Sequence, residues 1–80
     1  MRFFVGSKYK VLSINYAHPA AKTLVDMGLT KETVITVSGK APLGDPVLVT
    51  VRDYSLAIRK NDLSAFVLEQ IKEWGSSNKL

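Results

Sequence analysis

The hydrophobic residues of this chain fall mostly into short runs typical of β-strands, with one interval of helical spacing. The first run, from Lys8 to Tyr16, is rich in tyrosine, valine and isoleucine and predicts a strand. Ile14 is its surest core position, whereas Val11 and Leu12 are both apolar and leave the inward face open. The strand is expected to end before the first proline.

The helical interval extends from Pro19 to Met27. Proline is favoured at the first position of a helix, because its missing N–H is not needed there, and this places His18 at the N-cap. The apolar side chains share one face: Ala20, Leu24 and Met27, with Ala21 and Val25 beside them. Gly28 is expected to end the helix in the left-handed conformation, with Leu29 folding back onto Leu24.

A second strand is predicted from Thr33 to Lys40, with Ile35 and Val37 facing inward by alternation. The following segment, from Ala41 to Pro46, contains two prolines on either side of a Gly-Asp pair. Neither end can carry a full ladder of hydrogen bonds, so the segment is predicted to be a loop.

The clearest alternation follows this loop and predicts a β-hairpin. A two-residue turn at Asp53-Tyr54, whose aspartate tolerates a positive φ, pairs Val51 with Leu56 and Val49 with Ile58. This pairing brings the strongest apolar residues to one face: Val47, Val49, Val51, Leu56 and Ile58. A slip of one residue would turn Leu56 and Ile58 outward, so the pattern restricts the register.

A short helical turn is expected from Asn61 to Ser64, capped by Asn61 or Asp62, and then a last strand from Ala65 to Glu69 around Phe66. Five short strands and one helix are too few for a two-sheet sandwich. We therefore expect an all-β fold with one inserted helix, in which a small, strongly bent barrel closes the sheet.

The domain is expected to occupy residues 1–74, and the small, polar residues 75–80 are expected to be a flexible tail. A chain of 80 residues has room for one domain. No apolar run approaches the roughly 20 residues that cross a bilayer, and the apolar start is too short for a signal peptide. These features favour a cytoplasmic protein.

Three motifs follow one another at the spacing of a known family. They are Met27-Gly28-Leu29, then Ala41-Pro42-Leu43-Gly44-Asp45-Pro46, then Val51-Arg52-Asp53-Tyr54-Ser55-Leu56-Ala57-Ile58-Arg59-Lys60. Over roughly residues 6 to 70 the chain resembles ferrous iron transport protein A (FeoA). The resemblance implies an SH3-like barrel with a helix after the first strand. It also implies a cytoplasmic accessory, not an enzyme, of the ferrous iron transporter FeoB, a membrane protein with its own GTPase domain.

The chain departs from the family at two turns. Lys31-Glu32 stands where the family usually has Pro-Gly, so the turn into the second strand is expected to use a different geometry. Asp53 stands where the hairpin tip usually carries glycine. Neither departure removes a chemical group that the family's role requires.

The chain offers few residues for metal or cofactor chemistry. It has no cysteine and one histidine, His18, whereas ferrous sites typically use two histidines and a carboxylate. Gly39-Lys40 and Gly44-Asp45 lack the spacing of a phosphate-binding loop. We therefore expect no metal, no cofactor, no direct nucleotide and no catalysis, with His18 serving as a helix-terminal residue.

A recognition surface is the remaining possibility. The candidate partner-binding residues are Leu43, Gly44, Asp45, Tyr54, Arg52, Arg59, Met27 and Leu29. Leu43 either stands exposed at the tip of its loop or folds back to plug the barrel, and Tyr54 is either an interface anchor or an ordinary strand former. Met27 and Leu29 either line a groove or belong to the core.

The formal net charge of +4 permits acidic partners, but the eleven basic residues are spread along the chain. The expected partner is the cytoplasmic region of FeoB. The alternative is a small nucleic-acid-binding barrel, which the scattered cations disfavour. Pairing of an edge strand with a second copy stays open.

Overall fold

The computed structural model describes residues 3–71, in which five strands form one antiparallel sheet. The strands are β1 (Lys8–Ile14), β2 (Val34–Lys40), β3 (Val47–Val51), β4 (Tyr54–Ile58) and β5 (Phe66–Ile71). Helix α1 (Ala21–Asp26) follows β1, and the single turn α2 (Lys60–Leu63) follows β4. The order β4-β3-β2-β1-β5 leaves β4 and β5 at the edges. The predicted all-β fold with a helix after the first strand is confirmed, and the predicted tail lies outside the described residues.

The inward positions of the central strands form the core. The side chains of Ile35 and Val37 are buried as predicted, together with those of Val47, Val49 and Val51. The pairing register shifts at a bulge in β1 and at another in β2. Because a bulge bends a strand and increases its twist, these two positions allow a short sheet to curve around one core.

The first strand buries different residues from those the pattern indicated. Tyr9 and Val11 face the core, Leu12 faces solvent, and Ile14 is only half-buried. The expectation for Ile14 was therefore wrong. A bulge lies between Val11 and Ser13, and beyond it β1 pairs only with β5, which places Ile14 at the margin of the core.

The β3–β4 hairpin keeps the predicted face but not the predicted turn. Val51 pairs with Tyr54, and Val49 with Leu56, so the two-residue turn is Arg52-Asp53. The pairing differs from the expected one by two residues, a shift that preserves which side chains face inward. The positive φ, 58°, is that of Arg52 and not of the aspartate.

Helix α1 is shorter than predicted, and its C-terminus has the predicted motif. Ala21 and Leu24 are buried, but Met27 is 42% exposed, so the predicted apolar face does not extend to the helix end. Gly28 has φ 116°. The N–H of Leu29 donates to the carbonyl of Leu24 over 2.9 Å, and the N–H of Gly28 donates to the carbonyl of Val25 over 3.0 Å. These two bonds define a Schellman motif, which confirms the predicted role of Gly28.

The turn between α1 and β2 has the geometry expected for Pro-Gly. The N–H of Thr33 donates to the carbonyl of Thr30 over 3.1 Å, and Glu32 has φ 75°. These are features of a type II turn, in which glycine is preferred at the third position. The expectation of a different geometry was therefore wrong: the chain makes the same turn, with Glu32 in an unfavourable conformation and its carboxylate 3.0 Å from Lys10 Nζ.

Replacing this turn by Lys31→Pro/Glu32→Gly is expected to raise the free energy of unfolding by about 1 kcal/mol. Glycine removes the strain of a side chain at positive φ, and proline reduces the entropy of the unfolded chain, whereas the lost ion pair is exposed and contributes little. Urea denaturation measures the change. The matched variant Glu32→Gln keeps the strain and removes only the charge, so it should change stability by less than about 0.5 kcal/mol. A double variant less stable than the wild-type protein would contradict the turn assignment.

Candidate interaction surface

The loop between β2 and β3 is held by hydrogen bonds of its own backbone. The N–H of Ala41 donates to the carbonyl of Pro46 over 3.1 Å and closes its base. The N–H of Gly44 donates to the carbonyl of Ala41 over 2.8 Å and forms a turn within it. Pro42 restricts φ, and Gly44 takes φ 88°, which a residue with a side chain adopts only at a cost. The loop is therefore ordered by its own residues.

Asp45 attaches this loop to α2. Its Oδ1 accepts a hydrogen bond from the backbone N–H of Lys60 over 2.8 Å. The residue before α2, Arg59, makes no side-chain capping bond, so Asp45 supplies from 15 residues away the carboxylate that an N-cap residue usually provides. The predicted caps, Asn61 and Asp62, do not have this role, because α2 begins one residue earlier than expected.

Leu43 stands at the tip of the loop and is 95% exposed. The alternative that it folds back into the barrel is therefore wrong. A Cβ placed on Gly44 would lie 3.7 Å from Lys60 Nζ, so this cation lies beside the loop. Lys40 precedes the loop, and its Nζ lies 5.9 Å from the ring centroid of the exposed Phe4.

A shallow cleft of about 460 Å³ adjoins the same region. Its lining residues are Phe3, Leu63 and Phe66, which are buried apolar residues, and Lys60, Asn61 and Ser64, which are polar. Lys60 belongs both to this cleft and to the surroundings of the loop. We define the loop-tip surface as Leu43, Gly44, Lys40, Lys60, Arg59 and Phe4.

The remaining candidates lie at the opposite end of β3. β3 joins the loop to the hairpin turn and is five residues long, so its two ends are about 13 Å apart. There the Tyr54 hydroxyl donates to the Met27 carbonyl and packs directly over Gly28, while Arg52 is exposed. Leu29 is fully buried and belongs to the core, so it is not part of any exposed surface.

The candidates that the sequence placed in one group therefore form two groups in the fold. Leu43, Gly44, Asp45 and Arg59 lie near the loop, and Tyr54, Met27 and Arg52 lie near the hairpin turn. Lys60 and Phe4 were missing from the predicted candidates. Both residues were visible in the sequence, but only the fold shows that Lys60 Nζ lies beside Gly44 and that Lys40 Nζ lies near the Phe4 ring.

His18 has a structural role that uses both ring nitrogens. Its Nδ1 accepts the backbone N–H of Ala20 over 3.0 Å, and its Nε2 lies 3.0 Å from the carbonyl of Asn61. A neutral ring with its proton on Nε2 satisfies both contacts. The ring thus joins the start of α1 to α2, although the N-cap itself is Ala20 and not His18 as predicted.

The part of the chain between residues 3 and 71 contains no group of three or more histidine, cysteine or carboxylate side chains placed to hold a metal ion. Within the same range, no helix has the length and apolar character needed to cross a bilayer.

The family model described as the FeoA domain matches residues 3–69. Among solved structures, a FeoA-like protein from Clostridium acetobutylicum is 35% identical, with a TM-score of 0.79, over 85% of this chain and 79% of that one. FeoA from Chlorobium tepidum is 30% identical, with a TM-score of 0.75, over 88% and 67%. FeoA from Stenotrophomonas maltophilia, complexed with zinc and described as a prokaryotic SH3 domain protein, is 23% identical, with a TM-score of 0.74, over 89% and 92%. The search of curated proteins gave no match.

Proposed function

The chain belongs to the FeoA domain family, and from this premise we propose that it is a cytoplasmic accessory protein of ferrous iron uptake. It acts by binding the cytoplasmic region of the transporter FeoB and performs no catalysis itself. One relative that is 30% identical is described as an iron uptake regulatory protein (FeoA), which supports a role of this kind.

The exposure of Leu43 on an ordered loop is the observation that carries the proposal. A large apolar side chain that is 95% exposed gives the isolated protein little stability. Two backbone hydrogen bonds and the Asp45–Lys60 bond hold the loop in place, so binding costs little ordering entropy. A preorganised apolar side chain of this kind suits insertion into a pocket on a partner.

The charges around Leu43 indicate the character of that pocket. Lys40, Arg59 and Lys60 are exposed, and they lie beside the loop or immediately before it in the chain. The carboxylate of the loop itself, that of Asp45, is engaged at the start of α2. The complementary surface is an apolar pocket with an acidic rim, in which the charges steer association and Leu43 supplies most of the affinity.

Leu43→Asp is expected to weaken binding to the cytoplasmic region of FeoB at least tenfold and to change the stability of the protein by less than about 0.5 kcal/mol. Isothermal titration calorimetry measures the affinity, and thermal denaturation measures the stability. The control is Val67→Asp, which places the same charge on an exposed valine of β5, outside the loop-tip surface, and should bind as the wild-type protein does.

Three results would count against the proposal. Equal weakening by the two aspartate variants would show that added negative charge, and not the loop, is responsible. Absence of any binding by the wild-type protein would remove the proposed partner. Affinity for single-stranded RNA that falls steeply with salt would instead favour the nucleic-acid-binding alternative.

A further inference from the structure

In the described part of the chain, the outer edge of β4 is free to accept another strand. β3 is its neighbour on one side, and no strand of residues 3–71 lies on the other. In a hairpin with a two-residue turn, the closing pair Val51–Tyr54 exchanges hydrogen bonds, and such pairs alternate along the ladder. The N–H and C=O groups of Ser55 and Ala57 therefore point away from β3, and both residues are exposed.

This edge lacks the features that usually prevent strand addition. Its sequence, Tyr-Ser-Leu-Ala-Ile, contains no charge and no proline. Its register with β3 is continuous, without a bulge. Exposed edges with none of these protections pair readily with further strands.

The edge is also complementary to itself. When two copies of β4 lie antiparallel about Leu56, Ser55 of each copy stands opposite Ala57 of the other. The outward-pointing groups of these residues then form four N–H···O=C hydrogen bonds, as in an ordinary antiparallel ladder. Serine and alanine are small, so they present no steric obstacle on the outer face, and the half-buried Leu56 side chains meet at the two-fold axis.

The same register aligns opposite charges at both ends of the paired strands. Asp53, the turn residue directly before β4, and Arg59, directly after it, then lie at opposite ends of each strand, so Asp53 of each copy is brought beside Arg59 of the other. Arg59 has φ −71° and ψ 145°, so its backbone continues the line of β4. The ion pairs among the described residues are Lys10–Glu32 and Lys22–Asp26, and they include neither Asp53 nor Arg59. We propose that this protein self-associates through the edge of β4 into a two-fold symmetric dimer, with one continuous sheet and two Asp53–Arg59 contacts.

The geometry predicts a weak dimer. One step beyond Asp53 and Arg59, the register places Arg52 opposite Lys60, two like charges, although the chain leaves the strand direction at both residues. A five-residue edge also buries less surface than a stable interface requires. The dissociation constant is expected to be on the order of 10⁻⁴ M.

Exchange of the paired charges between copies tests this arrangement. Asp53→Arg and Arg59→Asp should each weaken self-association about tenfold, because each variant opposes two like-charged pairs in its own dimer. An equimolar mixture of the two variants should recover association, because one copy then carries two arginines opposite two aspartates of the other. Sedimentation velocity from about 10 µM to 1 mM measures all three samples. Lys22→Asp, a charge reversal on α1, is the control and should change association less than either single variant.

Ala57→Pro tests the backbone part of the interface. Its N–H points away from β3, so proline is compatible with the hairpin but removes two of the four bonds between copies. We expect an unchanged circular dichroism spectrum and loss of the dimer. A wild-type protein that is monomeric at 1 mM would overturn the proposal, as would a dimer that Ala57→Pro does not affect or a variant mixture that stays monomeric. The proposal would also be overturned if FeoB, and not a second copy of this chain, protected the Ser55 and Ala57 amides from hydrogen exchange. That result would assign the edge to a strand of FeoB.

Discussion

Gly28→Ala is expected to lower the free energy of unfolding by about 3 kcal/mol, a large part of the stability of a domain this small. Gly28 has φ 116°, well beyond the left-handed well near 57° that other residues visit. A Cβ at this position would overlap the Tyr54 hydroxyl, which donates to the carbonyl of Met27. Alanine therefore adds backbone strain and also displaces a side chain that joins the hairpin to the end of α1. Urea denaturation measures the loss.

Two comparisons separate the backbone strain from the steric overlap. Gly6 has φ 95°, and a Cβ there would meet no atom within 4 Å, so Gly6→Ala should cost only the strain, about 1 to 2 kcal/mol. In a Tyr54→Phe background the hydroxyl is absent, and Gly28→Ala should cost at least about 1 kcal/mol less than in the wild-type background. Equal costs in the two backgrounds would show that Tyr54 does not lie over Gly28.

The features predicted correctly from the sequence depend on residues close together in the chain. The Schellman motif needs only the residues from Leu24 to Leu29, and the inward positions of β2 follow from alternation alone. The hairpin turn shows the limit of that signal. A period of two distinguishes the faces of a strand but not two registers that differ by two residues, so Asp53-Tyr54 and Arg52-Asp53 fit the pattern equally well.

The candidate surface was harder to predict, because its organising contacts join distant parts of the chain. Asp45 reaches Lys60, and the Tyr54 hydroxyl reaches Met27, 27 residues away. An exposed carboxylate and a tyrosine near a turn have the same appearance in a sequence whether they contact a partner or the protein itself. Leucine is ambiguous in the same way: Leu29 and Leu43 each lie within a motif typical of the family, and only the fold shows that the first is buried and the second exposed.

Leu29→Ala should therefore lower the stability of the protein, whereas Leu43→Ala should weaken its binding to FeoB. Leu29 is fully buried beneath the end of α1, and its truncation is expected to lower the free energy of unfolding by about 3 kcal/mol through lost burial and the cavity that remains. Leu43 is 95% exposed, so its truncation should change stability by less than about 0.5 kcal/mol and weaken FeoB binding. Denaturation and calorimetry on the same two samples measure both quantities, with binding recorded well below the melting temperature of Leu29→Ala.

The same chemical change is made in both variants, so hydrophobicity and side-chain size are matched and only the position differs. If the folded fraction of Leu29→Ala binds FeoB as the wild-type protein does, the core and the recognition surface are separate. Loss of stability in Leu43→Ala would mean that the loop packs against the barrel, because an exposed leucine has no buried area to lose. That result would contradict both the observed position of Leu43 and the recognition role that depends on it.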